Sequence, residues 1–103
     1  MTRRDALIGV IEALHAEIAA LKSNDVAGLE RATRIKLAAI DAAAVHEGEP
    51  LTPEIRELAG EAYRLNETCR IYVNLMAANV RRRLQSLTGS IAASYSPGGS
   101  AYA

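Results

Sequence analysis

The chain has 103 residues with 12 basic and 12 acidic side chains, so its formal net charge at pH 7 is zero. This length fits a single domain, and the balanced charge gives no electrostatic reason to expect nucleic acid as the main partner. Half of the residues are hydrophobic, yet Phe and Trp are absent. Because bulky aromatic residues normally fill enzyme cores, this composition is typical of long helices packed side by side.

The first segment predicts an amphipathic helix over about residues 3–22. Thr2 is a potential N-cap, and Asp5 lies three residues later as a weak capping-box partner. An apolar stripe recurs at steps of four and three residues: Leu7, Ile11, Leu14, Ile18 and Leu21. The polar residues off this stripe are expected on the solvent side: Arg4, Glu12, Glu17 and Lys22.

A second helix is predicted over about residues 25–46. The residues Ser23-Asn24-Asp25 all favour N-cap positions, and Gly28 is a poor helix-interior residue, so the pattern indicates a turn or sharp kink here. One unbroken helix is the alternative, because a 3.6-residue period also connects Leu21 to Leu29. The expected apolar stripe of this segment is Val26, Leu29, Leu37, Ile40 and Ala44.

The third helix, predicted over about residues 53–90, is the longest. Gly48 and Pro50 end the preceding helix, and Thr52 followed by Pro53 is a strong start signal. Its apolar residues alternate steps of three and four for most of its length: Ile55, Leu58, Ala62, Leu65, Cys69, Tyr72, Met76, Val80, Leu84, Leu87 and Ile91. Residues 92–103 have no such period and are rich in Ser, Gly and Ala, which predicts a flexible tail.

The predicted fold class is all-α: an antiparallel bundle or coiled-coil hairpin of two or three long helices, spanning residues 1–91. The third helix is longer than either of the others, so part of its stripe lacks a partner within the chain. We expect the first half, Ile55–Tyr72, to pack against the other helices, and the second half, Met76–Ile91, to remain exposed. Exposed apolar stripes of this kind mark protein-binding surfaces or dimer seams.

The residue patterns do not indicate an enzyme, a metal site or a cofactor site. His15 and His46 are far apart in sequence, and His15 lacks the second histidine of a zinc-binding helix. Cys69 falls on the apolar stripe with no identifiable base, so it is interpreted as a small core residue. No glycine-rich phosphate loop follows a strand.

Two polar features of the third helix leave alternatives open. The run Arg81-Arg82-Arg83 could contact phosphates, but a solvated face that complements the helix dipole is the favoured interpretation. Arginines are also common in protein interfaces, so a role in partner binding stays open. Asn79 lies close to the stripe, where it could fix helix register or simply stand exposed at the edge.

The location is predicted to be cytoplasmic, without stable membrane insertion. Glu12, His15 and Glu17 interrupt the apolar residues near the N-terminus, which argues against a signal peptide. No segment approaches the roughly 18 apolar residues that span a bilayer. The single cysteine excludes an intrachain disulfide, whereas secreted chains of this size usually contain several.

Three stretches together resemble the FlgN family of flagellar export chaperones. The first is Glu12–Lys36, the second is the helix Leu58–Leu87, and the third is the ending Tyr95-Ser96-Pro97-Gly98-Gly99. The long helix departs from the family at Cys69, since many members have a second asparagine three residues after the one that aligns with Asn66.

The resemblance implies a cytoplasmic chaperone that binds the C-terminal helices of hook-associated proteins, keeps them monomeric and delivers them to the flagellar export gate. The client-binding residues expected from it and from the stripe are Met76, Asn79, Val80, Arg83, Leu84, Leu87 and Ile91. A contact of Tyr95 with the export gate follows from the resemblance alone. The alternative is a self-associating coiled-coil adaptor, a homo-oligomer with no export client.

Overall fold

The structure is a computed structural model that describes residues 1–95, with side chains from Met1 to Gly89. It contains three helices: α1 (Arg3–Ser23), α2 (Val26–Ala44) and α3 (Pro53–Tyr95). No strand occurs in the described part of the chain, so the predicted all-α helical bundle is confirmed. The described chain divides within α3 into two units, of which the first is Met1–Tyr72 and the second begins at Val73.

The start of α1 is fixed by a reciprocal capping box. The Thr2 hydroxyl accepts a hydrogen bond from the Asp5 N–H, and the Asp5 carboxylate accepts one from the Thr2 N–H, both at 3.1 Å. The predicted cap is therefore present, and it satisfies two N–H groups that the helix leaves unpaired. The hydrogen bond from the Thr2 backbone lowers the pKa of Asp5, because it stabilises the ionised carboxylate.

The connection between α1 and α2 is a tight turn, not a continuous helix. Asn24 ends α1 in the left-handed region at φ 55°, a conformation that asparagine adopts more readily than most residues. The Asp25 N–H then donates to the Ala20 carbonyl at 2.9 Å, in the manner of a Schellman motif. The Asp25 carboxylate in turn accepts the Gly28 N–H at 2.9 Å and begins α2.

The packing of α1 against α2 uses small side chains. Ala6, Ala13 and Ala20, spaced seven residues apart, are buried on α1, and Ala32 is the buried residue of α2. A Cβ atom added at Gly9 would lie 3.5 Å from the Ala39 Cβ, which shows how closely the helices approach there. Residues without long side chains permit this approach, as in other close helix contacts.

The stripe predicted for α2 is not the buried face of this helix. The large side chains of Val26, Leu37 and Ile40 are exposed, by 68%, 54% and 44% respectively, and Ala44 is exposed as well. Only Leu29 of that stripe is half-buried. The physical reason is that α2 turns its alanine-rich face towards α1, where bulky residues would hold the two backbones apart.

The first part of α3 completes the core of the unit Met1–Tyr72. Its start follows the prediction, because the Ile55 N–H donates to the Thr52 hydroxyl at 3.2 Å. Val10 and Leu14 of α1 form a buried cluster with Cys69, and partly buried residues surround it: Ile18, Ala39, Ala62 and Leu65. Helix α1 is therefore covered from both sides, by α2 and by α3.

Helix α3 is described through Tyr95, beyond the predicted end near residue 90. No proline occurs between Glu54 and Ser96, and Gly89 alone does not end a helix whose neighbours favour it. The predicted tail thus begins within the described helix, and its residues 96–103 lie outside the described residues.

Candidate helix-binding surface

The second part of α3 presents its apolar side chains to solvent. Between Val73 and Gly89 every side chain is exposed except that of Ala78, which is half-buried. The large apolar residues of this stretch have exposed fractions between 36% and 62%: Val73, Leu75, Met76, Val80, Leu84 and Leu87. This exposure agrees with the expectation that the second half of the stripe has no partner within the described chain.

Five of these residues share one face of the helix. At about 100° of rotation per residue, they fall within a band of roughly 80° centred on Val80. We name them the C-terminal stripe: Val73, Met76, Val80, Leu84 and Leu87. Leu75 lies about 140° from the centre of this band, on the opposite side of the helix.

The predicted client-binding residues divide into three groups. Met76, Val80, Leu84 and Leu87 belong to the C-terminal stripe and are exposed. Asn79 and Arg83 are exposed and lie about 100° and 60° from its centre, both on the same side. Ile91 lies in α3 and Tyr95 is its last residue, but their side chains are outside the described residues.

The acidic residues are confined to the part of the chain before Thr68. All 12 acidic residues precede Thr68, whereas Arg70 and the run Arg81–Arg83 follow it. Arg70 pairs with Glu67 at 3.0 Å. No ion pair within the described residues involves the Arg81–Arg83 run, and these exposed arginines are the charged side chains between Val73 and Gly89.

The position of Glu17 differs most clearly from the prediction for α1. It was expected on the solvent side of α1, but the residue is only 4% exposed. Its Oε2 accepts a hydrogen bond from the Thr33 hydroxyl at 2.6 Å and lies 3.1 Å from the Lys36 Nζ. Its Oε1 lies 3.8 Å from the Cys69 Sγ. This carboxylate of α1 therefore contacts both α2 and α3, and its burial is compensated by a hydrogen bond and an opposite charge.

The sequence held a signal for the burial of Glu17. It is three residues after Leu14 and four before Leu21, so it lies within about 60° of both on the helix. Because α1 is covered on two sides, that position is enclosed. The partner cation was also present, since Lys36 is spaced three residues from Thr33 and so shares its face of α2.

Cys69 is a core residue, as predicted, and not an activated thiol. It is 7% exposed, and its Sγ lies 3.9 Å from the Leu14 carbonyl oxygen. Burial raises the pKa of the thiol, the Glu17 charge raises it further, and Lys36 opposes them. A thiol is a nucleophile only as the thiolate, so these neighbours hold Cys69 in its unreactive form.

An open apolar cavity of about 300 Å³ lies among the helices of the first unit. Its lining is mostly aliphatic, with the Lys36 and Asn66 side chains as its polar members. Leu7 and Val10 contribute from α1, Ile40 from α2, and Tyr63 from α3. Since Lys36 already pairs with Glu17, the cavity offers few polar groups to orient a small substrate.

The histidines are not placed as metal ligands. His15 is exposed on α1, and the His46 Nδ1 lies against the Glu49 carboxylate just after α2. Over residues 1–95 no cluster of three or more His, Cys, Asp or Glu side chains is arranged to hold a metal ion. None of the described helices has a stretch apolar enough to cross a bilayer.

The fold and the surface define a class: an all-α bundle protein whose third helix carries an exposed apolar stripe. Comparison of the chain with known protein families, curated proteins and solved structures gives no match.

Proposed function

We propose that this chain is a helix-binding chaperone, specifically a cytoplasmic flagellar export chaperone of the FlgN type for hook-associated proteins. The observation that carries the proposal is the C-terminal stripe, an apolar surface about four helical turns long that faces solvent. An apolar band of this width and length fits the apolar face of an amphipathic helix. The flagellar client and a contact of Tyr95 with the export gate are supported by the sequence resemblance alone. The cytoplasmic location is supported by the resemblance and by the residue patterns that argue against a signal peptide.

The stripe supports a simple mechanism for such a chaperone. Hook-associated proteins would present a C-terminal amphipathic helix, and its apolar face would lie along Met76, Val80 and Leu84. Burying that face on the chaperone withdraws it from contacts with other client copies, which keeps the client monomeric. The binding is non-covalent and needs no catalytic group or cofactor.

The test is a direct binding experiment with the full chain. Purified protein is mixed with the C-terminal segment of a hook-associated protein, and the mass of the complex is measured by light scattering. We expect a complex of one chain and one segment. The variant Val80→Asp/Leu84→Asp should lose this binding, because two carboxylates replace apolar groups at the centre of the stripe. Its helicity, followed by circular dichroism, should remain close to that of the parent chain, since both side chains are exposed.

A matched control uses the opposite face of the same helix. Leu75 and Gln85 are both exposed and lie about 140° from the stripe centre, so Leu75→Asp/Gln85→Asp should bind almost as the parent does. Equal binding by the two double variants would refute the C-terminal stripe as the docking surface. If the chain forms a stable dimer and does not bind the segment, this result would favour the self-associating adaptor instead.

A further inference from the structure

The arginines around the C-terminal stripe indicate what kind of helix it binds. Relative to Val80, Arg83 lies about 60° to one side and Arg81 about 100° to the other, so they flank the stripe. Arg82 lies about 160° away, on the back of the helix. All three side chains are exposed. A helix docked on the stripe would therefore have positive charge along both of its edges near the middle of the contact.

A second copy of this surface is a poor partner for it. From Thr68 to the end of the sequence there is no acidic residue, so the only ionised side chains beside the stripe are arginines. If two such stripes paired with their centres aligned, parallel or antiparallel, Arg81 and Arg83 of one copy would lie close to those of the other. Like charges across an interface disfavour association, so the charge pattern selects against self-pairing of the stripe.

We propose that the partner is an amphipathic helix with acidic residues flanking its apolar face. This inference rests on the proposed function, since it concerns the same surface, and adds the chemistry of the partner. Arg81 and Arg83 would meet carboxylates at the two edges while the apolar faces cover Val80 and Leu84. Guanidinium groups form planar, bidentate pairs with carboxylates, so the arginines also set the register of the partner helix.

Nucleic acid fits the same residues less well. Phosphate binding would use positive charge without the five exposed apolar side chains of the C-terminal stripe, and it would use Arg82 as much as its neighbours. The acidic helix, in contrast, uses the stripe and the two flanking arginines and leaves Arg82 in solvent. The two partners therefore differ in which arginine matters, and single substitutions can separate them.

The first experiment compares three synthetic helical peptides with the same leucine-rich apolar face. Their flanking positions are glutamate in one, glutamine in the second and lysine in the third, and binding to the full chain is followed by fluorescence anisotropy. We expect the glutamate peptide to bind about tenfold more tightly than the lysine peptide at low salt, with the glutamine peptide between them. The difference should shrink to about twofold or less in 1 M salt, where charges are screened within about 3 Å.

The second experiment uses charge reversal with a neighbouring residue as control. Arg83→Glu should weaken binding of the glutamate peptide about fivefold to tenfold and strengthen binding of the lysine peptide. The reason is that the charge beside the C-terminal stripe changes sign. Arg82→Glu makes the same change in net charge on the back of the helix, so it should alter either affinity about twofold or less. Agreement of both results assigns the effect to position and not to overall charge.

Three results would overturn the inference. One is equal affinity of the three peptides, and another is an equal effect of Arg82→Glu and Arg83→Glu. The third is loss of the bound glutamate peptide, either to duplex DNA added at a concentration similar to that of the peptide or because the chain associates with itself at that concentration. The flagellar client is judged separately. If the hook-associated segment fails to bind while the glutamate peptide binds as expected, the inference stands and the proposed client is wrong.

Discussion

Replacing Lys36 by methionine removes the cation that lies against the buried Glu17 carboxylate. The two charged atoms are 3.1 Å apart, and the lysine and glutamate side chains are 17% and 5% exposed. At an effective dielectric constant near 20, their attraction is about 5 kcal/mol. Part of this offsets the desolvation of Lys36, which the variant no longer requires. We therefore expect Lys36→Met to lower the free energy of unfolding by about 3 kcal/mol.

An effect of this size is measurable in the intact protein. At about 0.05 to 0.15 kcal/mol per residue, the unit Met1–Tyr72 is stable by about 4 to 11 kcal/mol, so a loss of about 3 kcal/mol is a large fraction of its stability. The midpoint of thermal unfolding should fall by about 12 to 24 °C, followed by circular dichroism. Urea titrations of the same samples give the free energy independently. The control is Arg34→Met, which removes an exposed cation from the same helix and should change stability by less than about 0.5 kcal/mol.

A double substitution tests the reasoning behind the number. If the damage comes from an unpaired buried carboxylate, Glu17→Gln in the Lys36→Met background should restore much of the stability, because a neutral amide needs no counter-ion. The Thr33 hydroxyl can still donate to the amide oxygen. A double variant no more stable than Lys36→Met alone would contradict the argument that the loss comes from an unpaired buried carboxylate.

Cys69, Asn24 and Gly9 provide three further tests. Because the pKa of Cys69 is raised from an ordinary value of 9.0, the unfolded chain loses the thiol proton first. The stability that Cys69 contributes should thus be complete below pH 9.0 and decrease as the pH rises above it, and urea titrations of Cys69→Ala should lack this component. Asn24→Ala should lower the free energy of unfolding by about 1 kcal/mol, because φ is 55°, whereas Asn24→Gly should not; equal losses would contradict this. Gly9→Ala should stabilise the protein by about 0.5 to 1 kcal/mol in thermal unfolding, because its Cβ would meet Ala39 at an ordinary 3.5 Å; a loss would mean that the helices cannot accept it.

The helices and their caps could be predicted because they depend on neighbours within four residues. The hydroxyl of Thr2 reaches the N–H of Asp5, and that of Thr52 reaches the N–H of Ile55, whatever the rest of the chain does. The turn after Ser23 was also indicated by local residue types. In the structure, the left-handed conformation of Asn24 ends α1 at this turn. These features need no knowledge of tertiary packing.

The packing faces could not be predicted in the same way. Hydrophobicity favoured Leu37 and Ile40 as the buried side of α2, but the contact with α1 selects for small residues such as Ala32. That choice depends on how closely two helices approach, which is a property of the pair. Glu17 was misplaced for a related reason. Its burial is acceptable only because Lys36 on another helix neutralises it, and sequence spacing within α1 does not reveal that partner.

The exposure of the C-terminal stripe could be predicted from the relative lengths of the three helices. Because the third helix is longer than the first two, its apolar residues after Tyr72 could not all be covered, and their exposure agrees with this. The flanking positions of Arg81 and Arg83 also follow from helix geometry. The identity of the client does not follow from either, and it remains a prediction from the resemblance.

Helix α3 is a single helix from Pro53 to Tyr95. An isolated helix must first form a nucleus, which is unfavourable, whereas adding a residue to an existing helix is nearly neutral or favourable. The packed turns before Tyr72 already supply that nucleus, so the stretch from Val73 onward only needs to propagate. Hydrogen-exchange protection should therefore decline gradually from Val73 towards Gly89. A partner then meets a helix that is largely formed, and little of the binding free energy is spent on ordering it.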